Sequence, residues 1–318
     1  MNAQEPRINA KKNKIKESKT EEPRINAKKN KIKESKTDYV YYGVCAFILA
    51  LLAVVVIYPL YYIVIASISD PDAVMTGKVW LYPVELTFSG YGQLFYREDI
   101  WRSYFNTIAY TVLGTAFNVA LTIPAGWALS REYLPFRKFI MPFLIITMFF
   151  GGGLLPYVIL CRSLGLYQNP LILIIGGGVS VYNVFMCKSF FQSNVPKEVL
   201  EAGMIDGAGE IRTFFDIVLP VAKSIISVMI LFYAVGHWNN YIDAYIFSID
   251  ESFYPLQTLL NGLLDANSGG EGEVVLEQMR AATQIKFTSI IIATIPILII
   301  YPMIEKHFGQ GVLVGSFK

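Results

Sequence analysis

The composition of this 318-residue chain is that of a membrane protein, because 54% of the residues are hydrophobic, only 16% are charged and the mean hydropathy is +0.44. Soluble globular chains carry about 25% charged residues, so an ordinary soluble domain is excluded, and the net charge of +2 indicates no particular partner. Three scattered cysteines, Cys45, Cys161 and Cys187, have the spacing of neither a disulfide framework nor a metal motif.

An N-terminal tail, residues 1–38, contains a duplication. Residues 5–20 and 22–37 are the same sixteen residues, and the tail carries 12 Lys and Arg against 6 Asp and Glu. This polar, lysine-rich composition predicts disorder, and two copies are too few for a solenoid. A solvated tail is one interpretation. The other is attraction of the tail to the anionic inner leaflet of a membrane. Binding to nucleic acid is a weaker alternative, and we do not expect nucleic acid as a partner.

Six uncharged apolar stretches follow the tail within residues 39–318. Each is long enough, or nearly so, to cross a hydrocarbon core, which requires about 20 residues in a helix. Backbone groups in lipid must be hydrogen-bonded within the protein, so these stretches are predicted to be helices. The predicted transmembrane helices lie near residues 40–68, 104–130, 139–161, 168–187, 223–242 and 287–304. We therefore expect an all-α, multi-pass integral membrane protein that contacts lipid.

The distribution of basic residues predicts the orientation of the chain. If the N-terminus is cytoplasmic, the inner segments hold 21 Lys and Arg, 12 of them in the tail, and the outer loops hold 6, as the positive-inside rule requires. Both termini and residues 194–223 are then cytoplasmic. The loops 70–102 and 243–286, which carry 12 acidic residues, are then extracytoplasmic.

Residues 194–223 form a long charged interruption between two apolar spans, and their pattern predicts two short helices joined at a glycine. Pro196 suits a first helical position, and Gly207 is a typical helix stop. The second helix begins at Glu210. Its spacing predicts one apolar stripe that consists of Ile211, Phe214, Phe215 and Val218. Such a helix must lie against the membrane surface, its own bundle or another protein.

The same segment resembles the EAA loop of ABC importer permeases, whose pattern is Glu-Ala-Ala, three residues, Gly, nine residues and Ile-x-Leu-Pro. The chain departs from this pattern at Gly203, where the family usually has alanine. The residues that carry the resemblance are Glu201, Ala202, Gly203, Asp206, Gly207, Ile217, Leu219 and Pro220. The resemblance implies a cytoplasmic coupling loop at residues 194–220.

Further stretches resemble the MalG-like, LplC/YtcP-type carbohydrate branch of these permeases. They are residues 152–156, 232–239, 254–257 and 311–318. The resemblance implies a MetI-like fold of six transmembrane helices in the bacterial cytoplasmic membrane, importing an oligosaccharide or related complex sugar. The implied partners are a second homologous permease, two cytoplasmic ABC ATPase subunits that hold ATP and Mg²⁺, and an extracytoplasmic sugar-binding protein.

The family mechanism then implies a role for each part of the loop. Residues 197–207 would dock in a groove of the ATPase, with Glu201 facing a basic group and Gly207 allowing the tight turn. Leu219 and Pro220 would start the next span. ATP binding would draw two such loops together and open the pathway outward, and the ATPase can do this only through its differential affinity for the two states.

Several polar and aromatic residues at membrane depth are candidates for the substrate pathway. Aromatic rings can stack on a sugar ring, while Asn and His can hydrogen-bond its hydroxyls, and polar groups in a membrane tend to face the bundle interior or water. The candidates are Tyr157, Asn183, His237, Trp238, Asn239, Asn240 and Tyr241. The alternatives are an interfacial aromatic belt for Trp238 and Tyr241 and a packing role for His237.

The chain has no P-loop, no His-Glu-x-x-His motif and no nucleophile elbow. We therefore expect no enzymatic activity and no cofactor or metal bound by this chain. A stand-alone secondary transporter would require ionisable residues within the spans and an internal repeat, and neither is evident. A non-transporting scaffold and a permease for a non-sugar solute remain as further alternatives.

Overall fold

The computed structural model describes residues 36–266 and 273–308, and all the regular structure within these ranges is helical. The duplicated tail up to residue 35 and the motif at 311–318 lie outside the described residues. The first helix begins at Lys36, so the last three residues of the predicted disordered tail are helical. The chain divides into two compact units between Tyr58 and Pro59, and the core clusters lie in the second unit.

Fourteen helices follow one another along the described ranges. They are α1 Lys36–Ser67, α2 Pro71–Met75, α3 Ser89–Phe95, α4 Glu98–Ser130, α5 Arg137–Phe149, α6 Leu154–Ser163, α7 Ile172–Ile175, α8 Val181–Asn194, α9 Lys197–Ile205, α10 Glu210–Val221, α11 Lys223–Trp238, α12 Ile242–Ile246, α13 Leu256–Ala266 and α14 Glu273–Phe308. A short 3₁₀ turn at Glu251–Phe253 precedes α13.

Three of these helices are long and apolar enough to cross a membrane. They contain Tyr39–Ser67, Glu98–Ser130 and Met279–Ile299, which confirms helices at the first, second and sixth predicted spans. Two further pairs pass the same test of length and composition but are sharply bent, α5 with α6 by 116° and α10 with α11 by 81°. The described ranges therefore contain up to five candidate spans by this test.

Glycines break the third and fourth predicted spans. Between α5 and α6 the chain passes through Gly153, whose φ of +85° is a conformation that favours glycine. The fourth predicted span, residues 168–187, is divided between the single turn α7 and the later helix α8. Gly177, with a φ of +65°, lies in the gap between them. Both spans are therefore interrupted at their glycines instead of continuing as single helices.

Helix α4 is the centre of the packing in the second unit, and it packs most extensively against α8 and α11. The approach is close because glycines on α4 face both neighbours. A Cβ atom added to Gly126 would lie 2.4 Å from Cys187 Cβ, and one added to Gly114 would lie 2.3 Å from His237 Cε1. Small residues allow helices to come together in this way in membranes, so these two glycines fix the position of α4.

A buried hydroxyl joins three of the helices. The Tyr233 hydroxyl on α11 is 2.7 Å from Thr122 Oγ1 on α4, and it accepts a hydrogen bond of 3.2 Å from the Ser180 N–H at the start of α8. Thr122 and Tyr233 are both buried. The polar atoms of this junction therefore satisfy one another in an apolar surrounding, where unpaired groups are costly.

The variant Tyr233→Phe tests the contribution of this junction. We expect it to lower the free energy of unfolding by about 1–2 kcal/mol, because Thr122 and the Ser180 N–H both lose a buried partner while the packing volume is nearly kept. The measurement is the thermal midpoint of the purified protein in detergent. The matched control is Tyr182→Phe, since Tyr182 is 58% exposed. An equal midpoint for both variants would contradict the expectation.

Candidate functional site

The first helix of the 194–220 segment, α9, ends at a well-formed glycine cap. Gly207 has a φ of +74°. Its N–H donates to the Met204 carbonyl at 3.1 Å, and the Ala208 N–H donates to the Gly203 carbonyl at 2.9 Å. These two bonds form a Schellman motif, which satisfies the free carbonyls at a helix end. The predicted stop at Gly207 is confirmed, whereas Pro196 precedes the helix instead of occupying its first position.

The second helix, α10, contains a π-helical turn at Thr213–Val218. In a π turn the hydrogen bonds join residues five apart, so Thr213 and Val218 share the buried face, with exposures of 5% and 0%. The predicted apolar stripe is confirmed only in part. Ile211 and Phe215 are 77% and 59% exposed, although Phe214 and Val218 do face the core cluster.

The residues of the predicted coupling loop divide into an inner and an outer set. The inner set is buried or half-buried and comprises Gly203, Ile217 and Leu219. The outer set is exposed and comprises Glu201, Ala202, Asp206, Gly207 and Pro220. Leu219 and Pro220 precede the 81° bend, so the next helix starts at Lys223 instead of at this pair. The segment therefore presents Glu201 outward from a helix that Leu200 anchors in the core.

Gly203 is where α9 meets α10, because an added Cβ would lie 3.1 Å from Ile217 Cδ1. This atom is the end of a flexible, half-buried side chain, so a small shift of Ile217 accommodates a methyl group. We expect Gly203→Ala to stabilise α9 by about 0.5–1 kcal/mol through the higher helix propensity of alanine. Slower hydrogen exchange of the α9 amides would confirm this. Faster exchange would show that the Ile217 side chain does not move aside for the new methyl group.

The turn between α4 and α5, residues 131–136, contacts both helices of the segment. Lys197 Nζ lies 3.0 Å from Glu132 Oε1, and the Tyr133 hydroxyl donates to Glu210 Oε1 at 2.5 Å. The hydrogen bond from Lys197 lowers the pKa of the Glu132 carboxyl, so it is ionised at neutral pH. Partial burial and the bond to Glu210 raise the pKa of Tyr133. These pairs are not predictable from the sequence, since nothing in the motif points to residues 65 or more positions away.

Two of the predicted pathway residues at the end of α11 are held by contacts with other helices. His237 Nε2 lies 3.3 Å from Asn118 Oδ1 on α4. Trp238 is 5% exposed, donates from Nε1 to the Ala293 carbonyl at 3.0 Å and packs edge-on against Tyr104. Trp238 is thus surrounded by its own chain and joins α11 to α4 and α14, which is not the environment of an interfacial aromatic belt.

The three residues that follow α11 have more open surroundings. The Asn239 amide donates to the Val235 carbonyl at 2.8 Å, and the Asn240 amide donates to the Asp243 carboxylate at 2.7 Å. Asn239 and Tyr241 are exposed. These side chains lie at the turn that leads from α11 into α12.

The remaining two pathway candidates lie on other helices. Tyr157 on α6 is half-buried and packs edge-on against Phe247, with ring centroids 5.8 Å apart. Asn183, in the first turn of α8, is 7% exposed. The structure therefore places the predicted pathway residues in separate packing environments. The described residues hold no group of three His, Cys, Asp or Glu side chains placed to bind a metal.

Comparison with known families identifies the chain. Residues 100–314 match the family model described as binding-protein-dependent transport system inner membrane component. The chain belongs to this family.

Relatives of this permease align with most of the chain. The polygalacturonan/rhamnogalacturonan transport system permease protein YtcP of Bacillus subtilis (strain 168) is 34% identical over 275 residues, which cover 85% of this chain and 95% of the relative. Protein LplC of the same organism is 32% identical over 266 residues, which cover 83% of this chain and 90% of the relative. The chain is therefore a carbohydrate ABC transport permease and a membrane protein.

A solved structure agrees with this assignment. It is described as the crystal structure of a bacterial ABC transporter involved in the import of the acidic polysaccharide alginate. It matches with a TM-score of 0.77 at 30% identity, covering 86% of this chain and 99% of that chain. The all-helical fold is thus the MetI-like ABC permease fold, and proteins of this family work within a transporter complex.

Proposed function

We propose that this permease is a transmembrane subunit of an ABC importer that moves an oligosaccharide or related complex sugar across the bacterial cytoplasmic membrane. Transport proceeds by alternating access and is driven by a separate ATPase subunit. Residues 39–318 form the permease domain with six spans, and both termini are cytoplasmic. YtcP is named for polygalacturonan and rhamnogalacturonan transport, and the solved transporter is described as involved in the import of alginate, so uronate-containing oligosaccharides are the first substrates to test.

The observation that carries this proposal is the construction of the 194–220 segment. Its inner face is anchored in the core by Leu200 and Val218, which are 3% and 0% exposed. Its outer face carries the exposed carboxylate of Glu201. An anchored helix with a free outer charge suits docking to another protein, because a displacement of the partner then moves the core as well.

The proposal divides the work among several subunits. Two cytoplasmic ABC ATPases bind ATP and Mg²⁺ and dock on this segment and on the equivalent segment of a second homologous permease. An extracytoplasmic binding protein delivers the sugar, and this chain binds no cofactor. The exposed residues Asn239 and Tyr241, with Tyr157 and Asn183, line the pathway, while the contacts of His237, Trp238 and Asn240 support a role in positioning the helices around it.

The experiment begins with affinity purification of the tagged chain from native membranes and mass spectrometry of the proteins that accompany it. We expect an ATPase with a P-loop and a second permease. The complex is then placed in proteoliposomes with the binding protein, and uptake of labelled galacturonate oligosaccharides is measured with and without ATP inside. Isolation of the chain alone as a homo-oligomer would favour a secondary transporter, and ATP-driven uptake of only non-sugar solutes would refute the carbohydrate assignment.

A further inference from the structure

The 131–136 turn is firmly attached to α4. The Arg131 guanidinium carbon lies 4.6 Å from the Trp127 ring centre and 5.2 Å from the Tyr133 ring centre, distances at which a cation is attracted to an aromatic ring. Arg137 Nε donates to the Leu129 carbonyl at 3.1 Å. Trp127 is itself buried in the core against α8. The turn is therefore fixed at both of its ends to the last turn of α4.

Two polar contacts extend from the turn to the 194–220 segment. Glu132 holds Lys197, the first residue of α9, and Tyr133 holds Glu210, the first residue of α10. The contacts therefore hold the beginnings of both helices that flank the Gly207 cap. A displacement of the segment must pull on both contacts at once.

A cavity of about 320 Å³ lies beside these contacts. Its lining includes Glu132 and Tyr133 from the turn and Leu200, Glu201 and Met204 from α9. The turn and the middle of α9 are thus separated by open space, and the ends of the two helices are tied by hydrogen bonds. The contacts to the turn are therefore made at the first residues of α9 and α10 and not along the middle of α9.

We propose that the 131–136 turn transmits movement of the 194–220 segment to α4, and that Glu132 and Tyr133 are positioning residues for the coupling of ATP hydrolysis to transport. The inference rests on the proposed function, since it assumes that an ATPase displaces the segment. Helix α4 is suited to pass the movement on to α11, because the hydrogen bond between Thr122 and Tyr233 joins the two helices in the core.

The test measures sugar transported per ATP hydrolysed by the assembled complex in proteoliposomes. The variants are Glu132→Gln, Tyr133→Phe and the two together. Exposed contacts of this kind change an equilibrium by about two- to fivefold. We expect a fall of about threefold in the ratio for the double variant, with ATP hydrolysis continuing and the subunit composition unchanged. A merely structural role would change the thermal midpoint and the yield of complex but not this ratio.

A double-mutant cycle links the effect to the contact. If Lys197 acts through Glu132, then Lys197→Gln added to Glu132→Gln lowers the ratio no further. The control is Asp72→Asn, which removes an exposed ion pair of 2.6 Å with Arg280 at a distant site and should leave the ratio unchanged. An unchanged ratio in the Glu132→Gln/Tyr133→Phe variant, or fully additive effects in the cycle, would overturn the inference. Absence of ATP-driven uptake by the unmodified complex would instead refute the proposed function together with it.

Discussion

Replacing Glu201 by lysine is expected to leave the permease folded and to lower ATP-driven sugar uptake by about tenfold or more. The side chain is exposed on the outer face of α9, so the substitution disturbs no buried contact. A lysine at this position would confront the basic group to which the carboxylate is proposed to bind, and like charges in contact at an interface cost several kcal/mol. Uptake and ATP hydrolysis by the reconstituted complex are the measurements.

A matched control lies three residues earlier on the same helix. Glu198 is also exposed but belongs to the first turn of α9, so Glu198→Lys makes the same change of charge about one helical turn away from Glu201. We expect this variant to retain most of the uptake. If Glu201→Lys transports at the normal rate, the role assigned to Glu201 is wrong, and if both variants lose uptake equally, only the net charge of the helix matters.

Replacing Gly126 by alanine is expected to lower the free energy of unfolding of the permease by about 1–3 kcal/mol, the usual cost of overpacking a well-packed core. The new methyl group would lie 2.4 Å from Cys187 Cβ and 3.2 Å from the backbone nitrogen of Lys188, so α4 and α8 would have to separate. Alanine has a higher helix propensity than glycine, so propensity alone would raise the stability of this variant. A loss of stability therefore shows that the close packing of α4 and α8 outweighs helix propensity. The thermal midpoint of the purified protein is the measurement.

Gly236 on α11 provides the comparison, because an added Cβ there meets no atom within 4 Å. We expect Gly236→Ala to leave the midpoint unchanged or slightly higher. Combining Gly126→Ala with Cys187→Gly removes the closest clash and should recover part of the loss. A midpoint for Gly126→Ala equal to that of Gly236→Ala would show that α4 and α8 are not held at this distance.

Hydropathy predicted those parts of the fold that depend on a continuous apolar run. The helices that begin at Lys36 and Glu98 and the helix that contains Met279–Ile299 lie at predicted spans. The breaks in the third and fourth spans depend on backbone angles at single glycines, such as the φ of +85° at Gly153. Hydropathy does not distinguish such a glycine from one that only packs closely, as Gly126 does.

The candidate site was predicted as far as the local pattern reaches. The helix stop at Gly207 follows from glycine chemistry, and the exposure of Glu201 is consistent with the motif. The contacts from Glu132 and Tyr133 were not predictable, because they join residues that only the tertiary fold brings together. The buried face of α10 was predicted only in part: Phe214 and Val218 face the core as expected, but Thr213 is buried as well, and the composition of Thr213–Val218 gives no signal of the π turn.

That π turn also shows how this segment holds one residue more than an ordinary helix needs. An α-helix brings residues four apart onto one side, and a π turn does the same for residues five apart. Deleting one residue between Thr213 and Val218 would convert the π turn into an α turn, and these two residues would still face the core. The extra position is therefore absorbed within the turn, and the register of the residues that follow it is unchanged.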